Sequence, residues 1–416
     1  GLIVARAGNR TPLGIEIPKQ LVSQPAAIGL VAFFLVGLSV TPLPTLPLLI
    51  LAAALGLLAW SSYKQREVED AIVEDEKIEE PNTVTVIRES AIQLELGSAL
   101  LSLVAQEASD NLVAKMSDLR ASILDEFGIV MPSIRIKDNL ALQANTYRVV
   151  LKGGVVGEGV VYKDRFMVVA GKDTSQDLDG IREREPVYGY SAIWVTEDVR
   201  SGLGDLFVQA MSPVTVIMTH LSYIVKHHAE ELLPREDVSA MVEELRETSP
   251  RLVADVIGNE LSVSRLHHVL KALLHEQVSL KELASIVEVA ADSSTLALDD
   301  CVERVRCALR RQICATVTST STSGKQTIRC VELTSRTGLE LTQENLSAAV
   351  HHAALPLVAE GLPIVVVTSN ETRRLLYSKV SGGSEDIVVL SQEEIVPEID
   401  LQVVGTVDAM KCSKVS

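Results

Sequence analysis

An uncharged, apolar run at residues 21–60 constrains what this chain can fold into more than any other feature. As one helix it would be about 60 Å long at about 1.5 Å per residue, roughly twice the hydrocarbon thickness of a membrane. Its middle, SVTPLPTLPLL, contains three prolines, and proline inside a helix removes a hydrogen bond and clashes with the preceding turn. The run therefore predicts two transmembrane helices joined by a proline-rich turn, together residues 21–63.

Basic residues flank this predicted hairpin on both sides. They are Arg6, Arg10 and Lys19 before it and Lys64 and Arg66 after it. Because positively charged flanks face the cytosol, we expect both ends, including residues 1–20, on the cytosolic side. A single-pass anchor and a buried pair of core helices are the alternatives. The first residues resemble the end of an earlier segment, so we also expect a membrane part that precedes them.

Charge and cysteine content exclude several classes of function. The formal net charge of −17 over 416 residues argues against a nucleic-acid-binding surface. The five cysteines form no CxxC pair, which predicts reduced, structural thiols in the cytosol. The acidic stretch REVEDAIVEDEKIEEP dominates residues 64–84. A charge run of this kind is typical of a solvated linker, here one that holds a cytosolic body away from the membrane.

Beyond the linker, the residue patterns predict a first α/β subdomain over residues 85–152 and 195–211. Apolar residues at helical spacing between Leu112 and Phe127 indicate a helix. SIRIKDN alternates as a half-buried strand does, and TYRVVLKG is predicted to be its partner strand. A small β-rich subdomain at residues 153–194 is expected to be inserted into it. The glycines of GGVVGEGVV fit neither a dinucleotide-binding nor a phosphate-loop motif, so we interpret them as turn glycines.

Two further subdomains complete the predicted body. Residues 212–295 are helical throughout, with Ser-Pro pairs at two predicted helix starts and a capping box in SLKE. Such short helices suggest a winged-helix-like module, and the acidic balance favours packing or assembly over DNA binding. Residues 296–416 give strand, helix and strand in LPIVVVTS, NETRRLLYSKV and DIVVLS, which is typical of an α/β unit. The fold class expected is thus a membrane hairpin plus a multi-subdomain α/β body.

The sequence contains no motif that predicts bond-making chemistry. The three adjacent histidine pairs lie in helical patterns, where neighbouring residues do not share a face, so each pair is a poor metal clamp. The HExxH and GxSxG motifs are both missing. We therefore expect no catalytic residue, cofactor or metal, and a protein that is not an enzyme.

Several long motifs resemble one family. LRASILDEFGIVMPSIRIKDN followed by NTYRVVLKG is similar to the signature region of the FHIPEP proteins, the export-gate components of type III secretion, with a flagellar branch (FlhA) and an injectisome branch (SctV). IQLELGSALLSLV, SPVTVIMTHLSYIVKHHAEELL and the hairpin turn TPLPTLPLL also resemble that family. The ending VLSQEEIVPEIDLQVVGTV looks more like the injectisome branch.

The resemblance implies a bacterial inner-membrane protein with a large cytoplasmic region. It implies a nine-subunit ring that receives secretion chaperones with their substrates and passes the substrates to the export channel. Other export-apparatus proteins, the ATPase complex with its stalk, and membrane lipid are the further partners implied. This chain would hold only the last two membrane helices of such a protein. A membrane-anchored signalling or regulatory protein without a ring, and a membrane-tethered enzyme, are the rival hypotheses.

Two sets of residues are candidates for these contacts. A ring needs a head-to-tail surface, and we expect the charged rim of the helical module to contribute Arg235, Glu236, Arg251 and Asp255. The alternative is that these are solvated helix ends. Exposed aromatic residues anchor interfaces, and the scarce aromatics concentrate around the insert at Tyr162, Phe166, Tyr188, Tyr190 and Trp194. We expect at least one of Tyr162, Phe166 and Tyr188 to face a chaperone-binding cleft; the alternative is that the rings fill the core of the insert.

Overall fold

The computed structural model describes residues 91–105, 111–169, 178–202, 210–320, 325–333, 343–381 and 386–407. The chain divides into two units, Gly1–Ile87 and Arg88–Ser416, and every described residue belongs to the second. The predicted hairpin and acidic linker therefore lie outside the described residues. Within the part that is described, no helix is both long and apolar enough to cross a membrane.

The first sheet has four strands in the order β2-β1-β3-β4, with β1 and β2 parallel and the other pairs antiparallel. Because β1 lies between β2 and β3, the predicted pairing of SIRIKDN with TYRVVLKG was wrong. Helix α2 shares its hydrophobic core, burying the predicted series from Leu112 to Phe127. It begins where the side chain of Asn111 accepts the Val113 N–H and ends at Gly128, whose φ of 71° is left-handed. The elements are β1 (Ile92–Leu96), α1 (Ser102–Ala105), α2 (Leu112–Phe127), β2 (Ile134–Asp138), β3 (Thr146–Leu151) and β4 (Gly154–Val160).

A second, antiparallel sheet has three strands in the order β5-β7-β6. It forms the body of the predicted insert, but residues 154–160, which were assigned to the insert, pair with β3 in the first sheet instead. The described elements here are β5 (Phe166–Val169), β6 (Ile181–Arg184), β7 (Ser191–Val195) and the following α3 (Glu197–Gly202).

The glycines of β4 explain this placement. A Cβ on Gly157 would lie 2.4 Å from Cδ1 of Ile224, and one on Gly159 would lie 2.6 Å from the hydroxyl oxygen of Tyr147. Both glycines therefore allow neighbouring side chains to approach the strand closely. Only Gly153, with φ of 84°, is a turn glycine in this stretch with a left-handed backbone, so the turn interpretation was wrong for Gly157 and Gly159.

The middle of the chain is helical, as predicted. The side chain of Ser212 accepts the Thr215 N–H at the start of α4, and that of Ser262 accepts the Arg265 N–H at the start of α7. The predicted SLKE capping box was wrong, because α8 begins one residue beyond it and Leu280 N–H donates to the Phe127 carbonyl. The helices are α4 (Pro213–His227), α5 (Arg235–Thr248), α6 (Pro250–Val256), α7 (Val263–His275) and α8 (Leu283–Asp292).

The C-terminal unit is an α/β sheet whose long strands run in the order β11-β10-β9-β12, all parallel, with β8 antiparallel beside β9. The whole of β10 is buried, as expected for a central parallel strand. The elements are α9 (Leu298–Ala308), α10 (Arg310–Val317), β8 (Ser319–Thr320), β9 (Gln326–Leu333), α11 (Gln343–Ala359), β10 (Ile364–Thr368), α12 (Asn370–Val380), β11 (Ile387–Ser391) and β12 (Asp400–Val407).

Candidate docking groove

A groove of about 480 Å³ opens where three parts of the body meet. One wall is the side of α2, the second is the outer face of α4, and the rim is formed by the loop after β6 and the residue before β11. The lining side chains include Lys115, Asp118, Leu119, Tyr188, Met218, Tyr223, Lys226, His227 and Asp386. The mixture of apolar surface and both signs of charge suits a protein segment more than a small polar ligand.

A tight turn presents Tyr188 to this groove. The buried carboxylate of Glu185 accepts the N–H groups of Val187 and Tyr188 at 2.9 and 2.7 Å. Gly189 then adopts a φ of 72° and donates its N–H to the Glu185 carbonyl. Glu185 also donates its own N–H to the carbonyl of Tyr190. These bonds within the turn order the backbone, so Tyr188 and Tyr190 stand out with 39% and 48% of their surface exposed.

Tyr188, Tyr223, His227 and Asp386 form a chain of contacts across the rim, which we call the tyrosine–histidine latch. The rings of Tyr188 and Tyr223 meet edge to face at 6.0 Å, and the ring of Tyr223 lies 3.9 Å from that of His227. His227 Nε2 is 2.9 Å from Oδ1 of Asp386. The latch therefore joins the insert loop, α4 and the C-terminal unit.

The titration of the latch follows from these contacts. Burial, helped by Asp386, raises the pKa of Tyr188 to about 12. Burial and the same carboxylate also raise the pKa of Tyr223. At His227 burial lowers the pKa, but the hydrogen bond to Asp386 and one to the Tyr223 carbonyl outweigh it, so the pKa of His227 lies above its ordinary value.

Three of the predicted aromatics lie away from the groove, while the ring of Tyr190 lies 5.8 Å from that of Tyr188. Trp194 is fully buried, so it is a core residue with no face for a partner, contrary to its assignment as a docking residue. Tyr162 packs edge to face on Trp194 at 5.7 Å and donates to Glu183 at 3.1 Å. Phe166 is half-buried beneath the guanidinium of Arg200, 4.2 Å from its ring centroid. Tyr188 is the member of the predicted set that lines the groove.

Sequence reasoning missed Tyr223, His227 and Asp386. Tyr223 and His227 are four residues apart on α4, so they share one face, and this spacing was an available signal. The sequence offered no such signal for Asp386, because this residue lies far along the chain in another subdomain. Among the residues that the structure describes, no group of three or more His, Cys, Asp and Glu side chains could hold a metal ion.

The four residues predicted for a subunit contact are exposed on two consecutive helices. Arg235 and Glu236 open α5, where the Arg235 guanidinium donates to the hydroxyl of Ser264. Arg251 and Asp255 lie one turn apart on α6. Their exposure suits either a subunit contact or a solvated helix end, so the contact stays a prediction.

A second polar junction joins the end of α7 to the C-terminal unit, within which it also links α9 to α12, and we call it the buried ion cluster. Its members are Glu276, Glu303, Arg306, Arg373 and Glu394. Arg306 lies 2.8 Å from Glu276 and 2.5 Å from Glu394, and Arg373 lies 2.6 Å from Glu276. Although burial lowers it, hydrogen bonds to Glu303 and Glu276 raise the pKa of Arg373. Both arginine side chains are at most 3% exposed.

The class of protein is defined by this combination: a multi-part α/β and helical body with a peptide-sized groove and internal polar junctions. The FHIPEP family model matches residues 1–400, so the chain belongs to the FHIPEP family. The family resemblance seen in the motifs is thereby confirmed.

Curated relatives agree with this membership. The chain is 29% identical to the flagellar biosynthesis protein FlhA of Bacillus subtilis and 30% identical to that of Borreliella burgdorferi. Both matches cover 98% of this chain, but 64% and 62% of the relatives' own lengths. The chain therefore spans somewhat less than two thirds of these relatives.

Solved structures share the fold. The Chlamydia pneumoniae CdsV protein is 22% identical with a TM-score of 0.64 over 79% of this chain and 100% of its own. CdsV in complex with CdsO matches at 20% identity and a TM-score of 0.62 over 80% of this chain and 100% of its own. Nonameric EPEC SctV-C matches at 20% identity and a TM-score of 0.57, over 77% of this chain and 100% of its own. These neighbours show the shared fold, and the curated relatives above have flagellar names.

Proposed function

We propose that this chain is the docking part of an export gate in a type III protein secretion system, of the injectisome branch. The observation that carries the proposal is the groove, with Tyr188 exposed at its rim, in a chain that matches the FHIPEP model over residues 1–400. The groove receives chaperone–substrate complexes, and the body passes the substrates on to the export channel. The role is binding and assembly, without catalysis, a cofactor or nucleic acid.

The body assembles as a closed ring of nine subunits. Support comes from the nonameric state of the structurally similar EPEC SctV-C and from the exposed charges on α5 and α6. A head-to-tail contact between two different faces closes into a ring when its rotation closes. Arg235, Glu236, Arg251 and Asp255 contribute the polar rim of that contact.

Membrane attachment and further partners complete the proposal. The hairpin at residues 21–63 anchors the chain through lipid contacts in the bacterial inner membrane, and the acidic linker holds the body in the cytoplasm. The complex of the similar CdsV with CdsO supports contacts with other export-apparatus proteins, among which we include the ATPase complex and its stalk.

Electron microscopy of the detergent-solubilised full chain tests the ring. We expect nine-fold particles, and we expect the paired charge reversals Arg235→Glu and Arg251→Glu to shift the population toward monomers. Reversal of Arg246, which pairs with Glu243 on the same helix, is the matched control and should leave the ring intact. A protein that stays a monomer or dimer at every concentration supports the rival hypothesis of a membrane-anchored regulatory protein.

A further inference from the structure

We propose that the tyrosine–histidine latch is a proton-dependent fastener that holds the insert loop and the C-terminal unit against α4 at the rim of the groove. Its effect on cargo docking rests on the proposed function above, but the fastener itself does not. Three separate parts of the body meet in it through Tyr188, His227 and Asp386.

The His227 ring has an acceptor close to each of its nitrogens, and the amide nitrogen of Gln277 lies further away, 3.4 Å from His227 Nε2. Nδ1 lies 2.8 Å from the carbonyl oxygen of Tyr223, and Nε2 lies 2.9 Å from a carboxylate oxygen of Asp386. Both partners are acceptors, and neutral imidazole has only one N–H. Only the imidazolium ion therefore satisfies both contacts at once.

Asp386 is shared between two parts of the molecule. Besides facing His227, its carboxylate acts on Tyr188 and helps to raise the pKa of that phenol. When His227 loses its proton, the ion pair disappears, and the tautomer that still donates to Tyr223 presents a lone pair to the carboxylate. That repulsion weakens the position of Asp386 and hence its interaction with Tyr188.

Other charged groups near the ring are already paired or lie further along the walls. Lys226 on the same helix pairs with Glu126 of α2 at 2.7 Å. The remaining charged groups that line the two cavities beside His227 are Lys115 and Asp118 on α2, Glu276 after α7 and Arg306 on α9. Glu276 and Arg306 are bound to each other in the buried ion cluster. Among the residues that the structure describes, Asp386 is thus the carboxylate in direct contact with the ring.

The direction of the pH dependence follows from the raised pKa of His227. A group whose folded-state pKa lies above its unfolded value contributes stability below the unfolded pKa, about 6.5 for histidine, and loses it as pH rises through the folded pKa. The latch is therefore fastened under mildly acidic conditions and loosens as pH rises. Tyr188 does not interfere, because its pKa is about 12.

Hydrogen–deuterium exchange of the full chain in detergent tests the latch without any partner. Amide exchange of residues 185–190 and 386–391, corrected for intrinsic rates, should rise about fivefold between about pH 6 and about pH 9, which corresponds to losing about 1 kcal/mol. Exchange of Val263–His275 in α7 provides an internal reference. In His227→Gln and in Asp386→Asn the pH response of both segments should vanish, with exchange already fast at the lower pH.

His268→Gln is the matched control, because His268 is an exposed histidine on α7 and should leave the response unchanged. Tyr188→Phe separates the interaction of Asp386 with Tyr188 from its ion pair with His227. It should loosen residues 185–190 at every pH while residues 386–391 keep their response. An equal pH response in wild type and His227→Gln overturns the latch, whatever the protein binds. A normal latch in a chain that captures no chaperone–substrate complex would instead count against the proposed function.

Discussion

Two junctions connect the C-terminal unit to the rest of the body, and they are built in opposite ways. In the buried ion cluster, Arg306 and Arg373 are at most 3% exposed and contact several carboxylates each. In the tyrosine–histidine latch, the side chains of His227 and Asp386 are 26% and 45% exposed, and the cation can lose its proton. Solvent screens the His227–Asp386 ion pair of the latch, but it does not screen the ion pairs of the buried cluster.

This difference makes the buried ion cluster a permanent joint, independent of pH, and the latch a joint whose strength changes with pH. Guanidinium groups keep their charge at every physiological pH, so the ion cluster holds the C-terminal unit to α7 throughout that pH range. Beside it, Tyr377 donates its hydroxyl to the His275 carbonyl at 2.7 Å, which extends the same joint. The latch borders the same cavity as Glu276 and Arg306, but there a single proton on His227 decides the strength of the contact.

The largest effect is expected from breaking the permanent joint. Arg373→Met removes the cation that faces Glu276 and Glu303 and leaves these carboxylates without it. Removing one partner of a buried ion pair typically costs about 3–5 kcal/mol, and we expect a loss of that order in urea unfolding monitored by circular dichroism. The neighbouring Arg374 pairs with Asp299 in solvent, so Arg374→Met should cost under about 1 kcal/mol. Equal losses in both variants would contradict the assignment.

A smaller effect is expected when the same chemical change is made in both junctions. Glu276→Gln and Asp386→Asn each replace a carboxylate by an amide, at side chains that are 9% and 45% exposed. Glu276→Gln leaves Arg306 and Arg373 with less compensating charge and should lower the unfolding free energy by about 2–3 kcal/mol. Asp386→Asn should cost at most about 1 kcal/mol.

Unfolding curves at several pH values complete this second comparison. Asp386→Asn should flatten the decline in stability that accompanies deprotonation of His227, because the imidazolium loses the carboxylate that stabilises it. Glu276→Gln should retain that decline, since its carboxylate belongs to the other junction. A pH response that survives Asp386→Asn would show that another group is responsible.

Local elements of this fold were readable from the sequence, whereas both junctions were not. The helical spacing from Leu112 to Phe127 predicted α2, and an uncharged β-branched run predicted the buried strand β10. The latter signal works because a central strand is apolar on both faces. The SLKE segment looked like a cap and is instead tied to Phe127 by a bond to Leu280, so a tertiary contact overrode a local preference.

The junctions depend on partners that are distant in sequence. Arg373 meets Glu303 and Glu276 across separations of 70 and 97 residues, and an arginine on an amphipathic helix normally indicates a solvated face. Aromatic content directed attention to the insert. In the structure Tyr188 is exposed whereas Trp194 is buried. The sequence could not distinguish the two residues, because only tertiary packing determines which side chain is exposed.

The smallest effect on stability, and the most direct test of the groove, is expected from Tyr188→Ala. Tyr188 is held by the exposed latch, so its truncation should lower the melting temperature by no more than about 2 °C, as a change of about 0.5 kcal/mol implies. If the groove docks chaperone–substrate complexes, the loss of an exposed aromatic anchor should weaken their binding by tenfold or more, as about 1.4 kcal/mol or above implies. Calorimetric titration with a chaperone–substrate complex of the same secretion system measures this affinity.

Tyr162→Ala is the matched control, since Tyr162 packs on the buried Trp194. This variant should lower the melting temperature clearly and leave the affinity of the folded fraction unchanged. The opposite pattern, with Tyr162 controlling affinity and Tyr188 controlling stability, would move the docking surface away from the latch and into the insert.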